Sequence, residues 1–316
     1  MGGSYVLRRL YHLVPTLLGV ITLTFLVVRL LPGDPALYIL GENSTQASVD
    51  ALRDQLNLGE PLPSAWLSYM GSLLTGDLGE SIAYRVPVSE ILSSVLPVTV
   101  AIATSALILG TILGVTIGAV AAHLASRGRA GLDHALTSTS IVLEGTPPFV
   151  VALIAMLFFV LRLEWFPAVG VIDWGDVGGV VERLAMPVGV LAIGEVATIG
   201  RITRTSTLDS LGNDYVRTAR ALGESSVSAL THHGLRNSLL PVITMVGLSF
   251  GRLLGGTIVI EVIFSLPGMG STLIDGIVGR DYPVIQALVL VYALLYVFVN
   301  LLTDVLYRLA DPRVEL

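Results

Sequence analysis

The sequence predicts an all-α membrane protein with six transmembrane helices. The chain has 316 residues, a mean hydropathy of +0.80 and only 13% charged residues. Soluble domains carry about 25% charged residues, so a chain this apolar needs lipid around much of its surface. Six stretches are apolar over roughly 20 residues, the length that a helix needs to cross a bilayer.

The six predicted spans are separated by more polar connections. They lie near Leu10–Leu31, Leu96–Leu124, Ala135–Leu161, Leu184–Ser206, Leu239–Phe264 and Val284–Tyr307. The first is longer than the apolar region of a signal peptide, and no small-residue cleavage site follows it before Pro32. We therefore expect it to be a retained helix.

The positions of the arginines predict the orientation, because all 18 basic residues are Arg. Basic residues concentrate in the cytoplasmic connections of membrane proteins. An N-terminus inside the cell places most arginines there, namely Arg8, Arg9, Arg127, Arg129, Arg201, Arg204, Arg217, Arg220, Arg236, Arg308 and Arg313. Outside lie Arg53, Arg85, Arg183 and Arg280, with Arg162 near the boundary. Both termini are predicted to be cytoplasmic.

These spans divide the chain into four regions. They are the N-terminal tail with the first span (1–31), an extracytoplasmic segment (32–95), a core of five helices (96–308) and a C-terminal tail (309–316). The core includes a long inner loop, 207–238. The segment 32–95 contains eight acidic residues, which predict a solvated external face, and a helical pattern over Ser48–Leu58.

Several kinds of chemistry are excluded by residues that the chain lacks. It has no cysteine, which excludes disulfides, cysteine-bound metals and thiol catalysis. It has no lysine and no GxxxxGK[ST] motif, so any ATP chemistry must come from a partner. The five histidines form no HExxH motif. We expect no catalysis, no metal site and no cofactor in this chain.

Three glycines in the second span indicate close helix packing. Gly110, Gly114 and Gly118 recur every four residues and therefore share one helix face. Small residues on such a face let two backbones approach closely in a membrane.

Three ionisable residues lie at membrane depth: Glu144, Glu195 and Arg252. Each costs about 2.5–3.5 kcal/mol to insert unless it is paired or hydrated. Glu195 and Arg252 lie at similar depth, so we expect them to approach each other or to share one wet cavity. They are either a polar lining for a zwitterionic cargo or a structural ion pair. Glu144 precedes Pro147-Pro148, which should kink its helix. Its carboxylate either lines a path for the cargo or accepts hydrogen bonds from backbone groups freed by the kink.

The inner loop contains a predicted short amphipathic helix. Asp214 can cap it, and Gly223 can end it. Apolar side chains at helical spacing share one face: Tyr215, Val216, Ala219 and Leu222. Arg217 and Arg220 point elsewhere. Such a helix can insert into a groove on another protein or lie on the membrane surface.

The loop sequence Tyr215–Gly223, followed by His233–Pro241, resembles the cytoplasmic signature of the dipeptide/oligopeptide permeases of ATP-binding-cassette (ABC) importers. Further landmarks of that family occur before and after this loop, in the family's order along the chain: Arg29–Pro35, Gly76–Ser81, Glu261–Gly270, Asp281–Gln286, Leu302–Tyr307 and Asp311–Arg313. The long first outer segment is similar to the B-type permease subunit. Two departures are Leu222, where a basic residue is common, and Arg252, where a small or uncharged residue is expected.

The resemblance implies a type I ABC importer permease fold in the inner membrane, with residues 96–308 as its transmembrane type-1 core. A homologous second permease would complete the path for a peptide, and a solute-binding protein would deliver it from outside. Two ATPase subunits, or one fused ATPase, would bind ATP and Mg²⁺ and dock on a coupling helix. That helix would comprise Asp214, Tyr215, Val216, Arg217, Thr218, Ala219, Arg220, Ala221, Leu222 and Gly223.

The same machine could instead carry nickel–chelator complexes, glutathione or oligosaccharides, and the sequence barely separates these cargoes from peptides. Two other classes of protein fit the sequence less well. An intramembrane enzyme would need paired aspartates, a Ser/His pair or HExxH in the spans, and the predicted spans contain none of these. A self-contained channel would need no inner docking loop, whereas this chain has one. No feature of the chain indicates nucleic-acid binding.

Overall fold

The structure, a computed structural model, describes residues 2–30, 36–37, 44–55, 59–128, 130–167 and 172–310. Within these ranges the regular elements are helices, apart from one isolated antiparallel bridge between Glu80 and Pro87. In chain order the helices are α1 (Gly2–Leu30), α2 (Gln46–Gln55), α3 (Leu62–Leu74), α4 (Val88–Ser126), α5 (Ala130–Gly145), α6 (Pro148–Ala155), α7 (Val177–Leu211), α8 (Asp214–Ala221), α9 (Ser226–Ala229), α10 (Arg236–Ile263), α11 (Met269–Gly279) and α12 (Tyr282–Ala310). Two π-helical segments, Met156–Arg162 and Leu230–Leu235, continue α6 and join α9 to α10.

Four of these helices are long and apolar enough to cross a membrane. They are α4, α7, the part of α10 from Leu240 onward, and the part of α12 up to Leu306. In this order they correspond to the second, fourth, fifth and sixth predicted spans. In α1, the part whose side chains are described, Val14–Arg29, is an apolar helix shorter than these four. The prediction of an all-helical, multi-pass membrane protein is therefore confirmed.

The third predicted span is not one helix. It consists of two helices, α5 and the continued α6, which meet at an angle of 97°. The sequence predicted a kink at Pro147-Pro148, but the chain breaks there completely. Neither proline has an N–H group to donate, and Pro147 is extended at φ −58°, ψ 135°. A single span over Ala135–Leu161 is therefore wrong as a continuous helix.

The helix predicted at Ser48–Leu58 is present as α2, but it begins two residues earlier. Its first turn is capped by Thr45, because Thr45 Oγ1 accepts a hydrogen bond from the Ser48 amide at 3.4 Å. Residues 56–58 lie outside the described ranges.

The chain divides into two compact units. The first comprises Met1–Pro97 and Pro267–Val297, and the second comprises Val98–Leu266 and Phe298–Leu316. The core of the first unit joins Val88 and Leu92 of α4 to Met269 of α11 and to Val284 and Leu288 of α12.

A buried carboxylate fixes the turn before α4 within the first unit. Asp281 accepts hydrogen bonds from the Ser81 hydroxyl at 2.5 Å and from the amides of Ile82 and Ala83 at 3.2 and 3.1 Å. Both Ser81 and Asp281 are buried. This contact between residues 200 positions apart ties the turn before α4 to the start of α12.

In the second unit, α7 is the central helix. It packs against α5, α6 and α10, and its buried residues include Leu191, Glu195 and Ile199. The site described next is built on this helix.

Candidate functional site

The three glycines of α4 allow that helix to lie directly against α7. A Cβ atom at Gly110 would lie 2.5 Å from Glu195 Cβ, and one at Gly114 would lie 3.0 Å from Ile199 Cβ. At Gly118 it would overlap the backbone carbonyl oxygen of Gly200. Because α4 has no side chain at these three positions, its backbone packs directly on the face of α7 that carries Glu195 and Ile199.

Glu195 of α7 and Arg252 of α10 meet, as their similar depth suggested. Arg252 Nη2 lies 3.4 Å from Glu195 Oε2 and donates to the Ser249 hydroxyl at 2.8 Å. The two partners differ in burial: the Glu195 side chain is 8% exposed, and that of Arg252 is 51% exposed. Arg252 therefore keeps donors open to its surroundings while it balances a buried carboxylate.

Glu144 lies at the end of α5, beside the break at the prolines. Its Oε1 accepts a hydrogen bond from Arg201 Nη2 at 2.8 Å and lies 3.5 Å from the Thr198 hydroxyl. At the break, the backbone carbonyl of Val142 accepts its hydrogen bond from the Thr146 hydroxyl, at 2.7 Å. Glu144 thus faces α7 rather than the backbone groups at the break.

These three charged residues line one open cavity of about 200 Å³. The other lining residues are Leu143, Thr146, Pro148, Leu191, Gly194, Thr198, Leu253 and Gly256. Small-molecule pockets usually measure about 300–1,000 Å³, so this recess is too small to enclose a peptide. It offers two carboxylates and a guanidinium along one wall.

A third ion pair on α7, between Arg204 and Asp133, was not predicted from the sequence. Arg204 donates from Nε and Nη2 to the two carboxylate oxygens of Asp133 on α5, both at 2.5 Å. Arg201 and Arg204 are three residues apart and therefore share one face of α7. The sequence signal for this pair is weak: it is a single acidic residue, Asp133, at the start of an apolar stretch, and its partner lies 71 positions away.

The predicted helix of the inner loop is present as α8. Asp214 is its first residue and not its cap; Asn213 occupies the N-cap position without a side-chain cap bond. The C-terminal end matches expectation, since Gly223 has φ +101°. The amides of Gly223 and Glu224 bond the carbonyls of Arg220 and Ala219, both at 3.1 Å, which forms a Schellman motif.

The predicted apolar face of α8 is only partly used inside the chain. Val216 is fully buried, and Ala219 is half-buried. Tyr215 is 46% exposed and Leu222 is 85% exposed. An apolar surface therefore remains open at this helix, beside the exposed pair Arg217 and Asp214, which lie 3.5 Å apart.

A polar cluster anchors the end of α8 to the base of α10. Glu224 accepts a hydrogen bond from the Ser228 hydroxyl at 2.7 Å, and its other oxygen lies 3.0 Å from His233 Nε2. The His233 ring meets the Tyr215 ring edge-on at 5.8 Å. The Ser228 hydrogen bond, followed by His233, lowers the pKa of Glu224 below its ordinary value of 4.5. The loop is thus held by an ionised carboxylate.

Metal binding finds no support among the described residues, which contain no cluster of three or more His, Asp or Glu side chains suited to a metal ion.

Comparison with known proteins gives consistent matches along the chain. The family model described as binding-protein-dependent transport system inner membrane component matches residues 114–316, and the model of the N-terminal part of such membrane components matches residues 3–103. The glutathione transport system permease protein GsiC of Salmonella typhimurium is 40% identical over 314 residues, with 99% of each chain covered. A probable peptide ABC transporter permease protein of Sinorhizobium fredii is 38% identical over 316 residues, again with 99% of each chain covered.

The fold also has a solved counterpart. The crystal structure of an amino acid ABC transporter with histidines aligns with a TM-score of 0.51 and 17% identity, covering 69% of this chain and 92% of that one. At this identity the likeness concerns the fold alone.

Proposed function

This chain belongs to the family of binding-protein-dependent transport system inner membrane components, and we propose that it is the permease subunit of an ABC importer that carries peptides into the cell. The observation that carries the proposal is its similarity, over nearly its whole length, to permeases named for peptide and glutathione transport. The loop sequence Tyr215–Gly223 adds the signature of the peptide branch.

The proposed topology has six spans: α1, α4, the bent pair α5–α6, α7, α10 and α12. Both termini lie in the cytoplasm, and residues 32–95 lie outside. The distribution of arginine supports this orientation. A bent pair can serve as one span where protein surrounds the break, because the unpaired backbone groups then find partners away from lipid.

The proposed path runs along the cavity that holds Glu144, Glu195 and Arg252. A peptide carries a positive amine and a negative carboxylate, and the cavity presents groups of both signs. Since the recess measures only about 200 Å³, it forms one wall of the path. A homologous second permease supplies the facing wall.

The proposed docking element for the ATPases is α8, with Tyr215 and Leu222 as its contact residues. Large apolar side chains exposed beside charged ones suit insertion into a groove of a soluble partner. Two ATPase subunits, or one fused ATPase, dock on α8, and ATP and Mg²⁺ bind to the ATPases themselves. This chain holds no cofactor and catalyses no reaction. ATP binding shifts the path between inward-facing and outward-facing states because the ATPases have different affinities for ATP in the two states.

Glutathione is the second candidate cargo, because relatives 40% identical to this chain are named for its transport. It is itself a tripeptide with an amine and two carboxylates. The polar groups of the cavity therefore suit it as well as they suit an ordinary peptide.

Uptake into proteoliposomes tests these assignments. The chain is reconstituted with its second permease, its ATPases and its binding protein, and entry of labelled di-, tri- and pentapeptides and of glutathione is measured. We expect ATP-dependent uptake of at least one peptide class. Uptake that persists without the ATPases would show a self-contained carrier, and ATP-dependent uptake of nickel chelates or oligosaccharides alone would overturn the peptide assignment.

A further inference from the structure

The helix α3 lacks the charged surface expected of a solvated helix. No charged residue occurs between positions 61 and 76. A helix on the surface of a soluble domain normally turns polar or charged residues away from its packing partner. On α3, however, Leu67 is 64% exposed and Leu74 is 84% exposed.

One face of α3 packs against the second half of α1. The Trp66 indole donates to the Thr22 hydroxyl at 3.2 Å, and the Tyr69 ring stacks on Phe25 with ring centroids 5.7 Å apart. Ala65, on the same face, is buried. Thr22 and Phe25 lie within about two turns of Arg29, near the end of α1. Hence α3 crosses α1 close to the predicted outer boundary of the membrane.

The remaining surface of α3 separates into an apolar face and a polar edge. Leu67 and Leu74 are seven residues apart and therefore lie on one face. A polar edge is formed by serines that recur every four residues, at Ser64, Ser68 and Ser72. One apolar face is covered by α1, a second is open, and the serines lie to one side. This arrangement suits a helix that lies in the plane of a membrane surface.

We propose that α3 is an interfacial helix embedded in the outer leaflet, with Leu67 and Leu74 against lipid acyl chains and the serine edge toward water. Three observations favour lipid as the occupant of this face. The run is uncharged, Trp66 and Tyr69 are the residue types enriched at the membrane interface, and the supporting helix α1 itself exposes Leu23, which is 66% accessible. The apolar face of such a helix inserts about 5–10 Å into the boundary between headgroups and acyl chains.

The inference rests on α1 being a membrane span, as proposed above. It gives part of the segment 32–95 a lipid contact, whereas the acidity of that segment predicts a solvated surface. On the described helices of this segment, Asp50 lies on α2 and Glu90 lies on α4, whereas α3 carries no acidic residue.

Spin labelling tests the proposal directly, because the sequence has no cysteine of its own. Single variants Leu67→Cys and Leu74→Cys carry a nitroxide in the full complex, reconstituted into bilayers. Leu23→Cys in α1 is the lipid control, and Ala47→Cys, exposed on the polar helix α2, is the water control. Collisions with molecular oxygen report lipid, and collisions with a water-soluble nickel chelate report solvent. We expect the labels at 67 and 74 to resemble that at 23, with oxygen favoured several-fold over nickel.

Each other outcome overturns the proposal for a distinct reason. Labels at 67 and 74 that behave like that at 47, while the label at 23 reports lipid, place α3 in water. Labels shielded from both reagents show that a protein surface, such as the second permease, covers α3. A label at 23 that reports solvent removes α1 from the membrane, and then the six-span topology fails as well.

Discussion

Arg252 and Glu195 form an ion pair in which only the carboxylate is buried: the Glu195 side chain is 8% exposed and that of Arg252 is 51% exposed, with 3.4 Å between Nη2 and Oε2. The asymmetry predicts unequal effects of removing each partner. Arg252→Met leaves a buried carboxylate without its cation, which costs about 1–3 kcal/mol of stability. Glu195→Gln costs less, because Arg252 is half-exposed and keeps its hydrogen bond to Ser249. Thermal unfolding of the detergent-solubilised complex measures both, and equal losses would contradict this account.

The double variant Glu195→Gln/Arg252→Met separates the two roles that the pair can have. It contains no unpaired buried charge, so we expect its melting temperature to recover part of the loss caused by Arg252→Met. If the pair lines the path, uptake stays low despite the recovered stability. Recovery of uptake together with stability would show a purely structural pair.

Gly118→Ala should destabilise the contact between α4 and α7. The added Cβ would overlap the carbonyl oxygen of Gly200, which belongs to a helix backbone and has little freedom to move. Overpacking of this kind costs about 1–3 kcal/mol. Gly255→Ala in α10 is the matched control, because it is helical and nothing lies within 4 Å of its added Cβ. We expect the control to be neutral or to gain about 0.5–1 kcal/mol from helix propensity. Equal melting temperatures for the two variants would refute the close approach.

Gly223→Val should uncouple ATP hydrolysis from uptake without preventing membrane insertion. Valine strongly disfavours φ +101°, so the Schellman turn that ends α8 would rearrange and shift Leu222. Gly128→Val introduces similar strain at φ +72° in the turn after α4, which we do not assign to docking. ATPase activity and uptake are measured side by side in proteoliposomes. Normal uptake by Gly223→Val, or the same uncoupling in Gly128→Val, would remove the special role of α8.

The Glu224 cluster predicts a pH-dependent contribution to stability. The Ser228 hydroxyl, and then His233, lower the pKa of Glu224 from its ordinary value of 4.5. Because the folded-state pKa lies below the unfolded value, the contribution is complete above the unfolded pKa and disappears as the pH falls through the folded one. Wild type should therefore melt at a higher temperature than Ser228→Ala near neutral pH, and the difference should shrink below about pH 4.5. A difference that grows on acidification would contradict the assignment.

The amino-acid sequence by itself determined the membrane class, four of the spans and the helix of the inner loop. Hydropathy is summed over about 20 adjacent residues, so a membrane-spanning helix such as α12 can be predicted without any tertiary information. The same holds for the end of α8, where Gly223 and its neighbours complete the turn locally. The four-residue spacing of Gly110, Gly114 and Gly118 likewise specified a packing face, although not the helix that it meets.

Depth along the spans predicted that Glu195 and Arg252 would meet, but only the tertiary structure decided the partners of Asp133 and Glu144 and the angle at which the third span breaks. Partner choice depends on the rotation and bending of helices far apart in sequence. The sequence therefore does not predict that Asp133 pairs with Arg204, or that Glu144 contacts Arg201 instead of the backbone at the break. The 97° angle between α5 and α6 also arises from packing, since two prolines remove backbone bonds but set no direction. The acidity of the segment 32–95 did not predict the uncharged, exposed face of α3. Average composition does not indicate which side chains of a helix are covered by a neighbouring helix and which are exposed.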